Sequence, residues 1–523
     1  MTARDATGSG PEQARPRTYT GWQRERSGFF GRMSGAGFCA VAAGLILGMV
    51  PVYSGDVSLA FVAWPLAGLL VALAFVPVAG LPAQEWILLR SRHQVIRMRR
   101  AHLFASGVFA PTDSDGEQPV DLPGVLAGTR LLEAPTGTGG TLAVVNDRVE
   151  NTYTAVLGIS YPGLALWDIE AQNRRVAAWG AFLASLCVEG SPISRVAVVE
   201  RAQPDDGTAL CAWTQQHLDP GAPQAAVDTL DQLLGTAGPT SIQRDTFLAI
   251  TVSAARARSM IKAAGGGPDG ACAVLVRELL AVQPAISAAD LRVTSWLGIR
   301  ALAEAVRVGF DPDSVAPLAA RRARHPSGRA GAETSDALAP GVDPSLAGPA
   351  AADTGWSHYR HDGAWSVTYQ VRSWPWSPVY ATVLHPLLRP REGARRSFAM
   401  VCEPLGPRRA ERELARARTR RHVLISMRRK TGRLDSPDEL ADLARADAQD
   451  VARAEGHGVL RFTALVTVTV TELGLLEPAC AELQADAASA GLEVRRLYGA
   501  QDSGFAAGVL PLGKGLPARR VDL

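Results

Sequence analysis

Two long uncharged segments near the N-terminus restrict this chain more than any other feature of its sequence. The first runs over residues 33–55 and the second over residues 57–84, with Asp56 between them. A helix needs roughly 20 apolar residues to cross a bilayer. The segments therefore predict membrane spans at about residues 33–53 and 57–81. Their short connection leaves room only for a tight antiparallel hairpin.

The arginines around the two spans predict their orientation. Five precede the first span and five follow the second: Arg15, Arg17, Arg24, Arg26, Arg32, Arg90, Arg92, Arg97, Arg99 and Arg100. The connection between the spans has none. Because cytoplasmic flanks carry the excess of basic residues, we expect a multi-pass protein of the plasma (inner) membrane with both termini in the cytoplasm. A cleaved signal peptide is disfavoured, since the first span begins late and a second follows at once.

The segment after the second span, "EWILLRSRHQVIRMRR", predicts a basic amphipathic helix that rests on anionic lipid. It completes a membrane unit over residues 21–110. Gly44 and Gly48 lie four residues apart in the first span, a spacing that lets helices approach closely. We expect them to face the other helix of the hairpin rather than a second copy, although a homo-oligomer is possible.

The remainder of the chain predicts two cytoplasmic α+β blocks. Hydrophobic residues make up 47% of the chain, enough to bury cores. Strands and helices alternate, and several strands alternate apolar and polar residues, which favours sandwiches of a sheet covered by helices. The predicted units are a disordered tail (1–20), a first block (125–312), a disordered linker rich in Ala, Pro, Gly and Ser (313–355), a second block (356–515) and a tail (516–523).

The two blocks have a similar order of elements, as a diverged duplication would, but their sequences give no alignable repeat. Three segments are among those predicted to form helices. "TSWLGIRALAEAVRVGF" and "SPVYATVLHPLL" are each expected to be helical throughout. "SPDELADLARADAQDVARAEG" is expected to form a further helix after the long helix that begins at "PRRAERE".

The stretch "GVLPLGKG" has the spacing of a phosphate-binding loop at Gly508, Gly513 and Lys514. A working loop of this kind has Ser or Thr after the lysine to hold magnesium, and it opens a helix. Here Gly515 follows Lys514, and Pro517 comes soon after. We therefore expect no nucleotide site, and we expect Lys514→Ala to leave function intact.

Other candidate residues favour structural roles. His358 and His361 lie three apart on a predicted strand, hence on opposite faces, and are expected at the surface or on an edge strand. The cluster "WPWSP" over 374–378 fits a plug at a strand end better than a recognition surface. The six cysteines form no C-x-x-C pair and favour buried free thiols. The sequence thus gives no catalytic, cofactor-binding or metal-binding residue, and predicts a protein that is not an enzyme.

Two parts of the chain resemble secretion machinery. The hairpin followed by a basic helix resembles the PrgI-like membrane subunits of conjugation and type IV secretion machines. The last third, from "MRRKTGRLDSP" onward, is similar to the end of the N-terminal domain of conjugation ATPases. There an A-x-x-x-L-P segment, here Ala506, Leu510 and Pro511, precedes the motor domain. The resemblance implies that the motor is a separate chain.

This resemblance implies a non-enzymatic membrane scaffold of a type IV-like secretion or conjugation apparatus that docks a separate cytoplasmic ATPase. The second block, with the basic stretch over 416–430, is the expected docking region, although a solvated helix face is the default interpretation of such a stretch. The net charge of +3 does not favour direct nucleic-acid binding. One alternative is the EccE component of type VII secretion, which has the same outline and a helix similar to "RRVAAWGAFLASLC". Another is a membrane-tethered nucleotide hydrolase.

Overall fold

The computed structural model describes most of the chain, and all structural statements concern these residues: 35–78, 81–106, 121–136, 139–161, 167–204, 208–237, 242–289, 291–324, 341–375, 377, 379–389, 391, 393–430, 451 and 457–516. The predicted tail over 1–20 lies outside them. So do residues 517–523 and almost all of the helix predicted over 436–456.

Two apolar helices form an antiparallel hairpin at the start of the chain. Helix α1 is Gly35–Ser54 and helix α2 is Val57–Phe75; Asp56 caps α2 by accepting a hydrogen bond from the Ser58 amide. Their contact is close: a Cβ atom at Gly44 would lie 3.0 Å from the Ala67 carbonyl oxygen. Trp64 Nε1 also donates to the Gly48 carbonyl at 3.2 Å. The hairpin, and the face given to the two glycines, are therefore confirmed.

The second apolar helix ends at Phe75, earlier than the predicted span. The chain then forms the two-residue strands β1 (Pro77–Val78) and β2 (Leu81–Pro82) and enters the basic helix α3 (Ala83–Met98). Three described helices are long and apolar enough to cross a membrane: α1, α2 and α8 (Gly267–Ala288). In α8, however, Leu275, Leu279 and Ile286 are buried against the large sheet described next.

A single antiparallel sheet of thirteen strands organises the rest of the described chain. Its strands are β3 (Leu103–Ala105), β4 (Thr129–Pro135), β5 (Thr141–Asp147), β6 (Thr152–Ser160), β7 (Ile193–Pro204), β8 (Ile242–Ser253), β9 (Arg292–Trp296), β10 (Ala351–Thr354), β11 (Tyr359–His361), β12 (Ala364–Ser373), β13 (Ala394–Leu405), β14 (Val459–Val470) and β15 (Glu493–Arg496). The order is β3-β10-β11-β12-β14-β13-β7-β8-β6-β5-β4, with β15 on β12 and β9 on β6.

Helices cover both faces of this sheet. Besides α8, the described helices after α3 are α4 (Ile169–Ser185), α5 (Thr208–His217), α6 (Gln224–Ala237), α7 (Arg258–Ala263), α9 (Ile299–Phe310), α10 (Val315–Arg324), α11 (Pro407–Lys430), α12 (Leu476–Ser489) and α13 (Gln501–Gly508), and not all of them cover the sheet. Helices α4, α8 and α12 pack on one face, and α9 and α13 pack on the other. Central strands such as β6 are therefore buried on both faces.

The sheet consists of two halves with the same topology. Strands β4–β9 followed by α9 correspond one to one to strands β10–β15 followed by α13. The halves join where β7 pairs with β13, with Val199 opposite Ala399 at the centre. Because the two equivalent strands run antiparallel, the halves are related by an approximate twofold axis through this pair.

The strand registers support this correspondence residue by residue. In the first half, Thr251 pairs with both Thr154 and Arg195. In the second half, Thr469 pairs with both Ser366 and Arg395 in the same way. Hydroxyl contacts of 2.9 Å between Thr154 and Thr251 and 2.7 Å between Ser366 and Thr469 occupy matching places. The duplication that the sequence only suggested is thus visible in the pairing of the strands.

The structure differs from the predicted organisation in how the blocks are separated. The two predicted blocks share one continuous sheet through β7 and β13, so they are halves of one body. The predicted disordered linker contains α10 at its start and β10 at its end, because β10 completes the second half's sheet beside β11.

Two local predictions also differ from the structure. The segment 377–388 forms turns instead of a helix in its described residues. The helix expected from residue 294 is first strand β9 and then α9, since β9 is needed as the partner of β6.

Candidate interaction surfaces

The loop-like stretch "GVLPLGKG" is buried in the other half of the body. After α13 the chain crosses onto the first half's sheet, where Leu510 and Leu512 enter the apolar layer beneath α9. Gly513 has φ +67°, and a Cβ atom there would lie 2.6 Å from side-chain atoms of Thr154 and Thr251. Only glycine fits this position, and the reason is packing against the sheet.

Lys514 ends this crossing in a buried ion pair. Its Nζ contacts Asp147 Oδ2 and donates to the Val125 carbonyl at 3.4 Å, and both charged side chains are at most 8% exposed. Arg195 donates to the Gly513 carbonyl at 2.8 Å and pairs with Glu150 at 3.0 Å. Lys514 therefore fixes the chain end to the first half, and its ammonium group does not face an open phosphate site.

The first half makes the reciprocal crossing onto the second. His361, which occupies the place of Asp147, donates from Nδ1 to the Phe310 carbonyl and accepts from Ser366 at 2.8 Å. Arg395, the counterpart of Arg195, donates to the carbonyls of Val308 and Pro312 at 3.2 and 2.6 Å. Each half thus holds the chain segment that follows the other half's last helix.

His361 is therefore not at the surface as the sequence predicted. It is fully buried among Phe310, Tyr359 and Phe505, and burial lowers its pKa to about 4. The imidazole is neutral because it is cut off from water and its two nitrogens have one donating and one accepting role. His358, on the other side of the strand, is half-buried.

Helix α3 is held against the second half of the sheet by an aromatic cluster. Trp356 receives the edge of Trp86 at a centroid distance of 5.8 Å and lies 5.4 Å from the His93 ring. The Arg90 guanidinium lies 5.0 Å from the same indole, and Tyr498 stacks on it at 5.9 Å. We call these five side chains the junction cluster. It connects α3, which follows the apolar hairpin, to the second half.

Strand β3 strengthens this connection. It adds to the free edge of β10, with Phe104 paired to Ala352. Burial and the nearby Arg90 and Arg97 lower the pKa of His93, so the junction contains a neutral ring at neutral pH. Helix α3 is therefore attached to the second half both by aromatic rings and, through β3, by strand pairing.

Two helical arms project from opposite ends of the sheet. The connection between β7 and β8 carries α5 and α6, which we call the acidic arm. The equivalent connection between β13 and β14 carries α11, which we call the basic arm. The arms occupy corresponding positions in the two halves, yet they have opposite charge.

The acidic arm is poorly buried. No described side chain of α6 is buried: Asp228 and Asp231 are exposed, while Val227, Leu230 and Leu234 are half-buried along one face. On α5, Trp213 is 59% exposed and stacks on His217 at 4.3 Å. The arm thus presents both carboxylates and apolar side chains to its surroundings.

The basic arm contains ten Lys and Arg residues and two Glu residues over 24 positions. Arg408, Arg412 and Arg416 recur every four residues and are exposed. Glu413 forms ion pairs with Arg409 at 3.3 Å and with Arg461 at 2.8 Å. Among the described side chains only Ala410 is buried. The expected basic region is therefore a helix about 36 Å long that projects from the sheet.

Of the remaining candidate residues from the sequence, Trp374 and four of the six cysteines lie in hydrophobic cores. Trp374 packs against the apolar layer of the second half and meets Phe462 at 5.5 Å, as a strand-end plug would, while Trp376 and Pro378 lie outside the described residues. Four of the six cysteines are buried as predicted, namely Cys187, Cys272, Cys402 and Cys480, and burial raises the pKa of Cys402 to about 12. Cys211 is half-buried and Cys39 is exposed on α1, so the prediction is wrong for Cys39. Within the described part of the chain, no His, Cys, Asp and Glu side chains gather in a metal-binding group.

Comparison with models of known protein families gave no match, and comparison with curated proteins gave none either. The surfaces above are therefore interpreted from their own geometry. Sequence reasoning missed the junction cluster, because Trp356 stands at the end of a segment with the composition of a linker. It also missed Asp147, whose only sequence signal is a carboxylate at the end of an apolar strand.

Proposed function

We propose that this protein is a membrane-anchored scaffold that docks a separate cytoplasmic ATPase of a secretion or conjugation apparatus. The observation that supports this most is the junction cluster together with β3. A flexible tether would only raise the local concentration of the soluble body near the membrane. A rigid junction also orients the body, which is what a platform for a motor requires.

The burial of Lys514 weighs against the alternative of a nucleotide hydrolase at "GVLPLGKG". A phosphate cradle uses a free lysine and open backbone amides at the start of a helix. Here the lysine is committed to Asp147, and α13 ends at Gly508, the first glycine of the stretch, whereas a phosphate-binding loop opens a helix after its lysine. The segment is better explained as the chain crossing that locks the two halves together.

The test uses the full chain in lipid nanodiscs, because the two halves share a sheet and a separate second half would lose its partner strands. An ATPase with Walker motifs, encoded beside this chain, should co-sediment with loaded nanodiscs and not with empty ones. An unrelated ATPase of similar size is the matched control. Failure of the neighbouring ATPase to bind, or ATP hydrolysis by the purified chain alone, would count against the scaffold.

A further inference from the structure

We propose that copies of this chain associate head to tail, with the basic arm of one copy against the acidic arm of the next. The proposal concerns the chain alone and does not depend on an ATPase. It rests on three features of the arms: their charges, their placement at opposite ends of the sheet, and the apolar side chains that the acidic arm leaves uncovered.

The charges of the two connections are complementary. Residues 205–241, between β7 and β8, contain five Asp and no Lys or Arg, a net charge of −5. Residues 406–458, between β13 and β14, contain thirteen Lys and Arg against nine Asp and Glu, a net charge of +4. Within the second connection the positive charge is concentrated in α11, at ten against two. Opposed patches of this kind attract and orient two surfaces.

The two arms of one copy cannot reach each other. Pairing of β7 with β13 places Ala202 opposite Arg396, so β7 ends at Pro204 beside the start of β13. The basic arm begins at the other end of β13. Twelve residues of strand separate the two ends by roughly 36 Å. Within one copy α5 packs on α10, so the part of the acidic arm that is left for another copy is the exposed face of α6.

The acidic arm has more than charge to offer a partner. Asp228 and Asp231 flank the half-buried row of Val227, Leu230 and Leu234 on α6. An arginine side chain can lay its methylene stem on such an apolar row while its guanidinium meets the carboxylates. Arg412 and Arg416, one turn apart on α11, have the spacing to contact the acidic positions in this way.

A contact between two different surfaces of the same chain is heterologous, and it repeats from copy to copy. Since every copy is held by a hairpin in the same membrane, the repeat is confined to the membrane plane and closes into a ring or extends as a row. Either arrangement would bring several two-span hairpins together, which one copy cannot do alone.

The experiment is a charge exchange between two full-length variants in nanodiscs or detergent. Variant one is Asp228→Lys with Asp231→Lys, and variant two is Arg412→Glu with Arg416→Glu. The oligomer is measured by light scattering coupled to size exclusion, at low and high salt. A variant with Arg174→Glu and Arg258→Glu, two exposed arginines outside both arms, applies the same change in net charge as variant two and is its control.

We expect the wild-type chain and the control to form oligomers that weaken as salt rises. Each arm variant alone should lose at least tenfold in association, because the changed side chains then repel the like-charged positions that they would contact on the other arm. Mixing the two variants should restore association, since each now offers the complement of the other. A monomeric wild-type chain, self-association that neither variant disturbs, or a mixture that stays dissociated would overturn the proposal. So would a basic arm that binds only anionic vesicles.

Discussion

Lys514 and Asp147 form an ion pair inside the body, between the last described segment of the second half and strand β5 of the first. Their burial gives Lys514 a structural role, whereas the sequence predicted only that Lys514→Ala would leave function intact. Removing one partner of a buried pair leaves a charge without compensation and costs about 3–5 kcal/mol. The lysine matters for stability even though it does not bind a nucleotide.

We predict that Lys514→Met lowers the free energy of unfolding by roughly 3–5 kcal/mol, measured by chemical denaturation in detergent. Adding Asp147→Asn should recover part of the loss, because the uncompensated carboxylate is then removed. Lys262→Met on the exposed surface of α7 should change the stability by less than about 0.5 kcal/mol. Equal losses of stability in Lys514→Met and Lys262→Met would contradict the buried ion pair between Lys514 and Asp147.

His361 gives the body a dependence on pH. Its pKa is about 4 in the fold and near 6.5 in an unfolded chain, so the unfolded state binds a proton that the folded state does not between these values. Stability from the neutral imidazole is therefore complete above pH 6.5 and falls as pH drops toward 4.

We predict that the wild-type chain loses roughly 3 kcal/mol more than a His361→Asn variant between pH 7 and pH 4. Thermal or denaturant unfolding at several pH values measures this difference. Comparing the two proteins cancels the other titrating groups that they share. Parallel curves for the two chains would show that His361 is protonated in the fold or exposed.

At the scale of single elements, the junction cluster holds α3 against the second half. The rings of Trp86 and His93 both meet Trp356, which comes from the second half. A half-buried tryptophan in such a cluster contributes less than the roughly 3–5 kcal/mol of a fully buried one. Its loss should loosen the helix without unfolding the sheet.

We predict that Trp356→Ala raises amide hydrogen exchange over residues 83–98 at least tenfold, and leaves β7 and β13 protected. The physical reason is that the free energy of opening α3 locally falls, while the strand pairing of the sheet is unchanged. Trp213→Ala, at an exposed tryptophan on α5, should leave α3 unchanged. Unchanged exchange in both variants would mean that β3 alone holds the helix.

At the scale of the whole molecule, the body is two halves that complete one another. Strand β7 pairs along β13, and each half receives the chain crossing of the other. The free energy of association is therefore large, and the covalent link between α10 and β10 adds only a modest entropic term.

We predict that a chain divided between residues 324 and 341 re-forms the body when its two pieces are expressed together. The pieces should co-purify and unfold in one transition, while either piece alone should be insoluble. Shortening the second piece after Gly508 removes Leu510, Leu512 and Lys514, and should abolish recovery. Soluble, folded single pieces would argue for two independent domains.

The orientation of the hairpin belongs to the same scale. Arginines flank both spans and are absent from their connection, so reporters fused at the N-terminus and after Gly124 should both give a cytoplasmic signal. A periplasmic signal at either position would reverse this topology. The sequence carries this prediction alone, because the structure contains no membrane.

Local patterns in the sequence determined the hairpin, the basic helix after it and most of the strands and helices. The length of the uncharged segments, the apolar periodicity and the glycine spacing are local features. They can therefore be recognised in the sequence alone. The predictions from sequence fail where the conformation of a segment depends on residues far away in the chain. Segment 294–296 is a strand because β6 needs a partner, and residues 351–354 are ordered because β11 does.

Only the tertiary structure decided that the two blocks are one body and that "GVLPLGKG" is a structural crossing. Lys514 pairs with Asp147, which lies hundreds of residues away in the chain, and His361 with Phe310, which lies tens of residues away. No local pattern points to either partner. The same pairing of β7 with β13 sends the two oppositely charged arms to opposite ends of the sheet. Composition sets the charge of each arm, whereas the antiparallel register of two central strands sets where that charge can act.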